Sequence, residues 1–103
     1  MSDELLETGL VYTDGAPVVI RVRRRGRRID IDDDGAAVSR ARAAGTTRRW
    51  LEVAERVVTE YDLNVNRRGV VFVPVVVGRD VDALAARVAR TSCALERELL
   101  AEG

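Results

Sequence analysis

The stretch Val18-Val19-Ile20-Arg21-Val22-Arg23-Arg24-Arg25-Gly26-Arg27-Arg28-Ile29-Asp30-Ile31-Asp32 decides the fold. Val18, Ile20 and Val22 recur at every second position, with Val19, Arg21 and Arg23 between them. After Gly26 the alternation resumes as Ile29 and Ile31 against Arg28, Asp30 and Asp32. Successive side chains of a strand point to opposite faces, so the stretch reads as a β-hairpin with one apolar and one charged face. A two-residue turn at Arg25-Gly26 pairs Val22 with Ile29 and Ile20 with Ile31 on the buried face, and Arg21 with Asp30 on the wet one. That register also sets Arg23 opposite Arg28, a like-charge pair costing about 0.2–1 kcal/mol.

Working outward, Asp14-Gly15 and Pro17 supply turn chemistry before the hairpin, and Leu10 to Tyr12 is apolar enough for a short strand. Ser2 to Glu7 reads as one helical turn, with Ser2 as cap and acids near the positive end of the peptide dipole. Beyond the hairpin, Asp33-Asp34-Gly35 opens a helix through Ala36 to Ala44 that Gly45 stops. Thr46 or Thr47 caps the next, whose apolar face is Trp50, Leu51, Ala54, Val57, Val58 and Tyr61 and whose outer face carries an Arg and Glu ladder. A second hairpin follows, from Leu63 through the turn Arg67-Arg68-Gly69 into the apolar run Val70 to Val77, which reads as a strand buried on both faces. Pro74 belongs at an edge, a bulge or a bend of that strand. Asp80 caps a last helix to Glu102, about 35 Å long at 1.5 Å per residue, with Val81, Leu84, Ala85, Val88, Leu95 and Leu99 on one stripe interrupted by Ser92. The expected fold is α+β in one domain over residues 1–103: an antiparallel sheet, made of an N-terminal meander and a second hairpin, packed on helices.

Composition narrows the chemistry. The chain has 103 residues, 17 basic and 17 acidic, and every basic residue is Arg. With no Lys and no His, Schiff-base lysines, P-loop lysines, Ser-His and Cys-His nucleophile pairs and imidazole-bound zinc are all excluded. The Arg, Ala, Val and Gly bias fits a GC-rich bacterial genome. Cys93 alone cannot form an internal disulfide, no N-terminal stretch looks like a secretory signal, and the longest apolar run is eight residues and contains Pro74. The expectation is a cytoplasmic protein that does not span a membrane, with no cofactor, no metal and no enzymatic activity.

From Asp14-Gly15-Ala16-Pro17-Val18 through the hairpin, Asp33-Asp34-Gly35 and the second hairpin to Val73, the chain resembles a bacterial and phage family known as domain of unknown function 1828. There a strand ending in Asp-Gly leads to two helices and another hairpin, and the likeness covers roughly residues 12 to 75. The order of elements is also similar to that of type III secretion chaperones and their non-secretory relatives. That likeness implies a protein that dimerises and binds other polypeptides.

Two surfaces stand out as candidates for function. Val75, Val76 and Val77, with Leu95, Leu99 and Leu100 on the last helix, form apolar surface in excess of what so small a core covers, and a second copy would cover it. The leading expectation is therefore a non-enzymatic protein-protein interaction module acting as a homodimer. The alternative is a small nucleic-acid-binding regulator that uses the hairpin tip, where Arg23, Arg24, Arg25, Arg27 and Arg28 concentrate positive charge without an aromatic side chain to stack on a base. The ordinary reading of that tip is a charged hairpin that resists edge-to-edge aggregation. Asp30 to Gly35 also matches the first half of an EF-hand loop, but Ala41 stands where the bidentate Glu belongs, and the acids are accounted for as strand-face and cap residues.

Overall fold

The computed structural model describes residues 2–45, 48–76 and 80–102. They form β1 (Ser2–Val11), β2 (Pro17–Arg25), β3 (Arg28–Asp32), α1 (Ala36–Ala43), α2 (Trp50–Glu60), β4 (Asn64–Val65), β5 (Val71–Val76) and α3 (Val81–Glu102). The sheet runs β1-β2-β3-β5-β4 with every neighbouring pair antiparallel. The fold is α+β, as the alternation around Gly26 implies.

The hairpin keeps its expected faces and changes its register. Val22 pairs with Ile31, Arg23 with Asp30 and Arg21 with Asp32, so the turn is Gly26-Arg27 rather than Arg25-Gly26. Gly26 has φ +59° and takes the first central position, which the II′ hairpin turn reserves for glycine. The slide is two residues, so every side chain stays on its own face. It also removes the Arg23-Arg28 clash: the like pair is now Arg25 opposite Arg28 at the open tip. Val18, Ile20, Val22 and Ile31 are wholly buried, and Ile29 is half-buried against the core.

Residues 2–7 are strand, not helix. Pairing with β2 sets Leu6 opposite Ile20 on the core face and Asp3 opposite Arg23 on the outer one, while the Glu4 carboxylate accepts from Arg24 at 3.3 Å. This gain of sheet hydrogen bonds and charge pairs outweighs a local capping signal spread over one turn. An irregularity between Glu7 and Val11 breaks the register, and with it the period of two that would have marked the strand.

Between Ile31↔Val73 and Ile29↔Val76, two residues of β5 face one of β3, so Pro74 falls at a bulge, where its missing N–H removes no regular ladder bond. Val71 is buried, whereas Phe72, on the outer face opposite Asp32, and Val73 are only half-buried. The strand is thus not covered on both sides.

The helix α3 crosses β1, β2, β3 and β5 and also carries α1 and α2 against it. Flanked by the sheet and by two helices, it buries more than one face and leaves a stripe with Ala83, Arg90 and Arg97 exposed: Ala85, Val88, Ala89, Leu95 and Leu99 meet the core, and Thr91, Ser92 and Glu96 are buried as well. Asp80 accepts the Ala83 N–H and caps it as expected. The N-cap position of α2 is Arg49, not a threonine; Thr46 and Thr47 lie outside the described residues. The ladder expected on α2 is replaced by Arg49 on Glu52 at 2.6 Å and Arg56 on Glu98 at 3.4 Å.

Burial of Leu95 and Leu99 corrects the expected partner surface. At 0% and 2% exposure they belong to the core of this chain, because α1 and α2 pack on the helix that carries them. Leu100 is half-buried. Val75 and Val76 belong to β5 but their side chains, like Val77, lie outside the described residues.

Candidate anion-binding cleft

Two clusters of polar side chains are built by this fold, one sealed and one open. The sealed one hangs on Asp33, whose N–H continues the sheet by donating to the Val71 carbonyl at 3.0 Å. Its Oδ1 accepts the N–H groups of Gly35 and Val71, both at 2.9 Å, and its Oδ2 accepts the Ser92 hydroxyl at 2.7 Å. Because Ser92 gives its hydrogen to Asp33, the Tyr12 hydroxyl donates to Ser92, at 2.8 Å. Beside it the buried Glu96 accepts the N–H and hydroxyl of Thr13, and Arg40, which lies over the Tyr12 ring, sits 3.8 Å from its carboxylate. Asp33, Ser92 and Tyr12 are each at most 3% exposed. A hydroxyl enclosed in this way is bound to its neighbours and closed to a substrate, so the cluster ties β1, α1, β5 and α3 together rather than performing chemistry.

Burial pushes the Tyr12 phenol up to about 12, with the Ser92 hydrogen bond opposing it. A raised folded value means stability that is complete below the unfolded value of 10 and is lost as the pH rises through about 12. Alkaline unfolding followed by circular dichroism should therefore show a loss of about 2–3 kcal/mol over that window, and Tyr12→Phe should abolish this component.

The open cluster is a cleft of about 480 Å³ where the outer face of β2 meets one side of α1 and the β4–β5 turn. Arg21 and Arg23 reach it from β2, because the alternation that buries Val22 turns them outward. Gly35, Ser39 and Arg42 come from the α1 segment, and Asn66 and Arg68 from the turn. The Asn66 carbonyl oxygen shapes that turn by accepting the N–H groups of Arg68 and Val70 at 2.9 and 3.0 Å. Four guanidinium groups thus line the cleft against one carboxylate, Asp34.

These arginines differ in how they are held. Arg21 is fixed by Asp32 and Asp34, each at 3.1 Å, and Arg23 reaches Asp32 at 3.4 Å. Asp32 is almost fully buried beneath them and also accepts the Asp34 N–H at 2.8 Å. Burial alone would lower the Arg21 pKa, but the hydrogen bond and charge of Asp32 outweigh it and raise the value. Arg23 Nε is buried and finds no acceptor among the described residues. Arg42 lies over the Trp50 ring at 5.0 Å, a contact that positions a guanidinium without neutralising it. Neither Arg42 nor Arg68 forms an ion pair with a carboxylate among the described residues.

Of the arginines singled out at the hairpin tip, Arg24 is engaged by Glu4 and Arg28 by Asp30, Arg23 belongs to the cleft, and Arg25 and Arg27 stay exposed. The acids of the half EF-hand diverge in the same way. Asp30 holds Arg28, Asp32 holds Arg21 and Arg23, Asp33 turns into the core and Asp34 holds Arg21. Sequence reasoning missed Arg42 and Arg68, since residues 21, 23, 42 and 68 come from three separated segments and only the fold brings them together.

Fold and cleft together describe a small α+β protein with an antiparallel sheet packed on helices and an arginine-lined hollow between β2, α1 and the β4–β5 turn. No family model matches the chain, and no curated protein or solved structure is significantly similar to it.

Proposed function

We propose that the protein is a non-enzymatic binding module whose working surface is the arginine cleft continued by the hairpin tip, and that its ligand is the phosphate backbone of a nucleic acid. The observation that carries this reading is the convergence of Arg21, Arg23, Arg42 and Arg68 on one hollow with a single lining carboxylate. Arg21, Arg23 and Arg25 also recur along the outer face of β2 at two-residue steps, about 6.6 Å apart in a strand, a spacing that suits neighbouring phosphates of an extended strand. Guanidinium groups bind phosphate in bidentate fashion and keep their charge at any physiological pH. Without an aromatic side chain lining the cleft, contacts are to the backbone, and binding is sequence-tolerant and strongly salt-dependent. A binding role rather than catalysis is supported by the sealing of Asp33 and Glu96, which keeps their carboxylates out of the cleft. Among the described residues, no helix is long and apolar enough to cross a membrane.

Fluorescence anisotropy with labelled duplex and single-stranded DNA, over a range of salt from low to physiological, tests the reading. Arg42→Ala/Arg68→Ala removes the two guanidinium groups that carry no ion pair among the described residues and so costs little stability. It should weaken binding at every salt concentration and reduce the slope of log K against log salt for the duplex by about 2, at roughly 0.9 for each phosphate that is no longer neutralised. Arg49→Ala/Arg56→Ala, which removes the same charge from α2, should leave the slope unchanged. Equal binding by all three proteins would refute the assignment.

A further inference from the structure

We propose that β1 pairs with β1 of a second copy, antiparallel and across a two-fold axis near Thr8, to make a homodimer through a continuous sheet. This inference is independent of the cleft. The strand β1 is ten residues long and lies at the edge of the sheet, with β2 on one side only, so its outer backbone groups, apart from the Val11 carbonyl that accepts the Cys93 thiol at 3.1 Å, are a template for another strand. The large hydrophobic side chains that are exposed among the described residues, Leu5 at 71% and Val11 at 50%, both belong to it. They also share a face: Leu5 pairs with Arg21 and Val11 with Pro17, and both partners are on the outer side of β2.

An axis at Thr8 brings Leu5 of one copy towards Val11 of the other, twice by symmetry, with the irregularity between Glu7 and Val11 lying at the axis. On the opposite face the same register brings Leu6 to Leu10, both already packed on the core edge. The charges agree with this arrangement. The acids of β1, Asp3, Glu4 and Glu7, all precede Thr8, and no basic residue accompanies them. The second half of β1 borders a groove of about 380 Å³ lined by Leu10, Val11, Cys93, Ala94, Arg90 and Arg97. Arg90 and Arg97 are exposed, and neither has an ion pair among the described residues. Antiparallel pairing carries Glu4 of one copy, on the helix face opposite Val22, to the groove of its partner. Parallel pairing would instead set acid against acid. The arrangement retains one repulsion, since the two Glu7 side chains meet diagonally across the axis.

Sedimentation equilibrium on the full chain tests the proposal, with three variants. Leu5→Glu changes a side chain that faces solvent in the monomer and should raise the dimer dissociation constant at least about tenfold, the equivalent of returning one buried leucine side chain to water. Arg90→Ala/Arg97→Ala should weaken association in a salt-sensitive way. Glu7→Gln should tighten it, a gain that no loss of folding can imitate. A wild-type protein that remains monomeric at hundreds of micromolar, or a dimer indifferent to both Leu5→Glu and Glu7→Gln, would overturn it.

Discussion

Replacing Gly69 with Ala should lower the melting temperature by more than 10 °C and abolish the cleft. Gly69 is buried in the β4–β5 turn with φ +83°, and a Cβ there would sit 2.8 Å from both Cβ and Cγ1 of Val38 and 3.0 Å from Cγ2. Two costs combine. The left-handed backbone disfavours any residue with a Cβ by about 1–2 kcal/mol, and overpacking a closed interface costs typically 1–3 kcal/mol. Their sum is a large share of the roughly 5–15 kcal/mol that holds a domain together, and each kcal/mol moves the midpoint of a chain this size by about 4–8 °C. Relief by repacking is limited, because Val38 is on α1 and is itself 1% exposed. The turn would have to lift from the helix, taking Arg68 out of the cleft. Thermal unfolding by circular dichroism measures the effect, and a midpoint within 3 °C of wild type would show that the turn does not seat on α1 as described.

The second large effect separates two substitutions at one position. Asp33→Ala should cost about 3–5 kcal/mol, whereas Asp33→Asn should stay within about 1 kcal/mol of wild type at pH 7. Alanine strands the N–H groups of Gly35 and Val71 and leaves Ser92 without its acceptor, and each buried unsatisfied donor costs about 1–3 kcal/mol. Asparagine can keep both N–H bonds on its carbonyl oxygen and donate from its amide to Ser92; one hydroxyl hydrogen of the Ser92-Tyr12 pair then loses its acceptor, a cost offset because no carboxylate charge is buried.

The pH dependence of the same pair has a definite sign. Burial pushes the Asp33 carboxyl above its ordinary value of 3.8, against the opposing pull of Ser92 and the backbone N–H groups. A raised acid binds its proton more tightly when folded, so its contribution is complete below 3.8 and is lost as the pH rises through the folded value. Relative to wild type, Asp33→Asn should therefore gain stability as the pH climbs from 4 towards 7. Urea denaturation at several pH values reads this out, and a variant that loses stability relative to wild type over that range would contradict the assignment.

The sheet was legible where its period of two was unbroken. Val18, Ile20, Val22 and Ile31 alternate with charge, and burial of one face fixes which side they take whatever the register. The register itself depended on where Gly26 falls in the turn, a choice between neighbouring two-residue turns that alternation alone does not decide. At β1 the adjacent Leu5 and Leu6 point to opposite faces, and the irregularity after Glu7 hides the pattern, so a nearby capping signature prevailed over a pairing that only β2 makes visible. In α3 the stripe was correct but incomplete. Ser92 interrupts the stripe and Glu96 carries no sequence signal, yet both are buried because Tyr12, Thr13 and Asp33, far away in the chain, satisfy them. The homodimer expected from Leu95 and Leu99 rested on taking that helix as covered on one side only.

Much less of the candidate site could be read. The arginines of β2 were conspicuous, but Arg42 and Arg68 gave no local signal, since their proximity is a product of α1 and the β4–β5 turn meeting the outer face of β2. At the tip, Arg24 and Arg28 are partly neutralised by Glu4 and Asp30 across and along the strands.

The claim that the cleft is where this protein meets its ligand is tested most directly by mapping backbone amide shifts of ¹⁵N-labelled protein during titration with a short DNA duplex at low salt. Perturbations should gather at Gly35, Ser39, Arg42, Arg68 and Val70 and extend along β2 towards Arg25. Shifts confined to the outer surfaces of α2 and α3, with those amides unmoved, would contradict it.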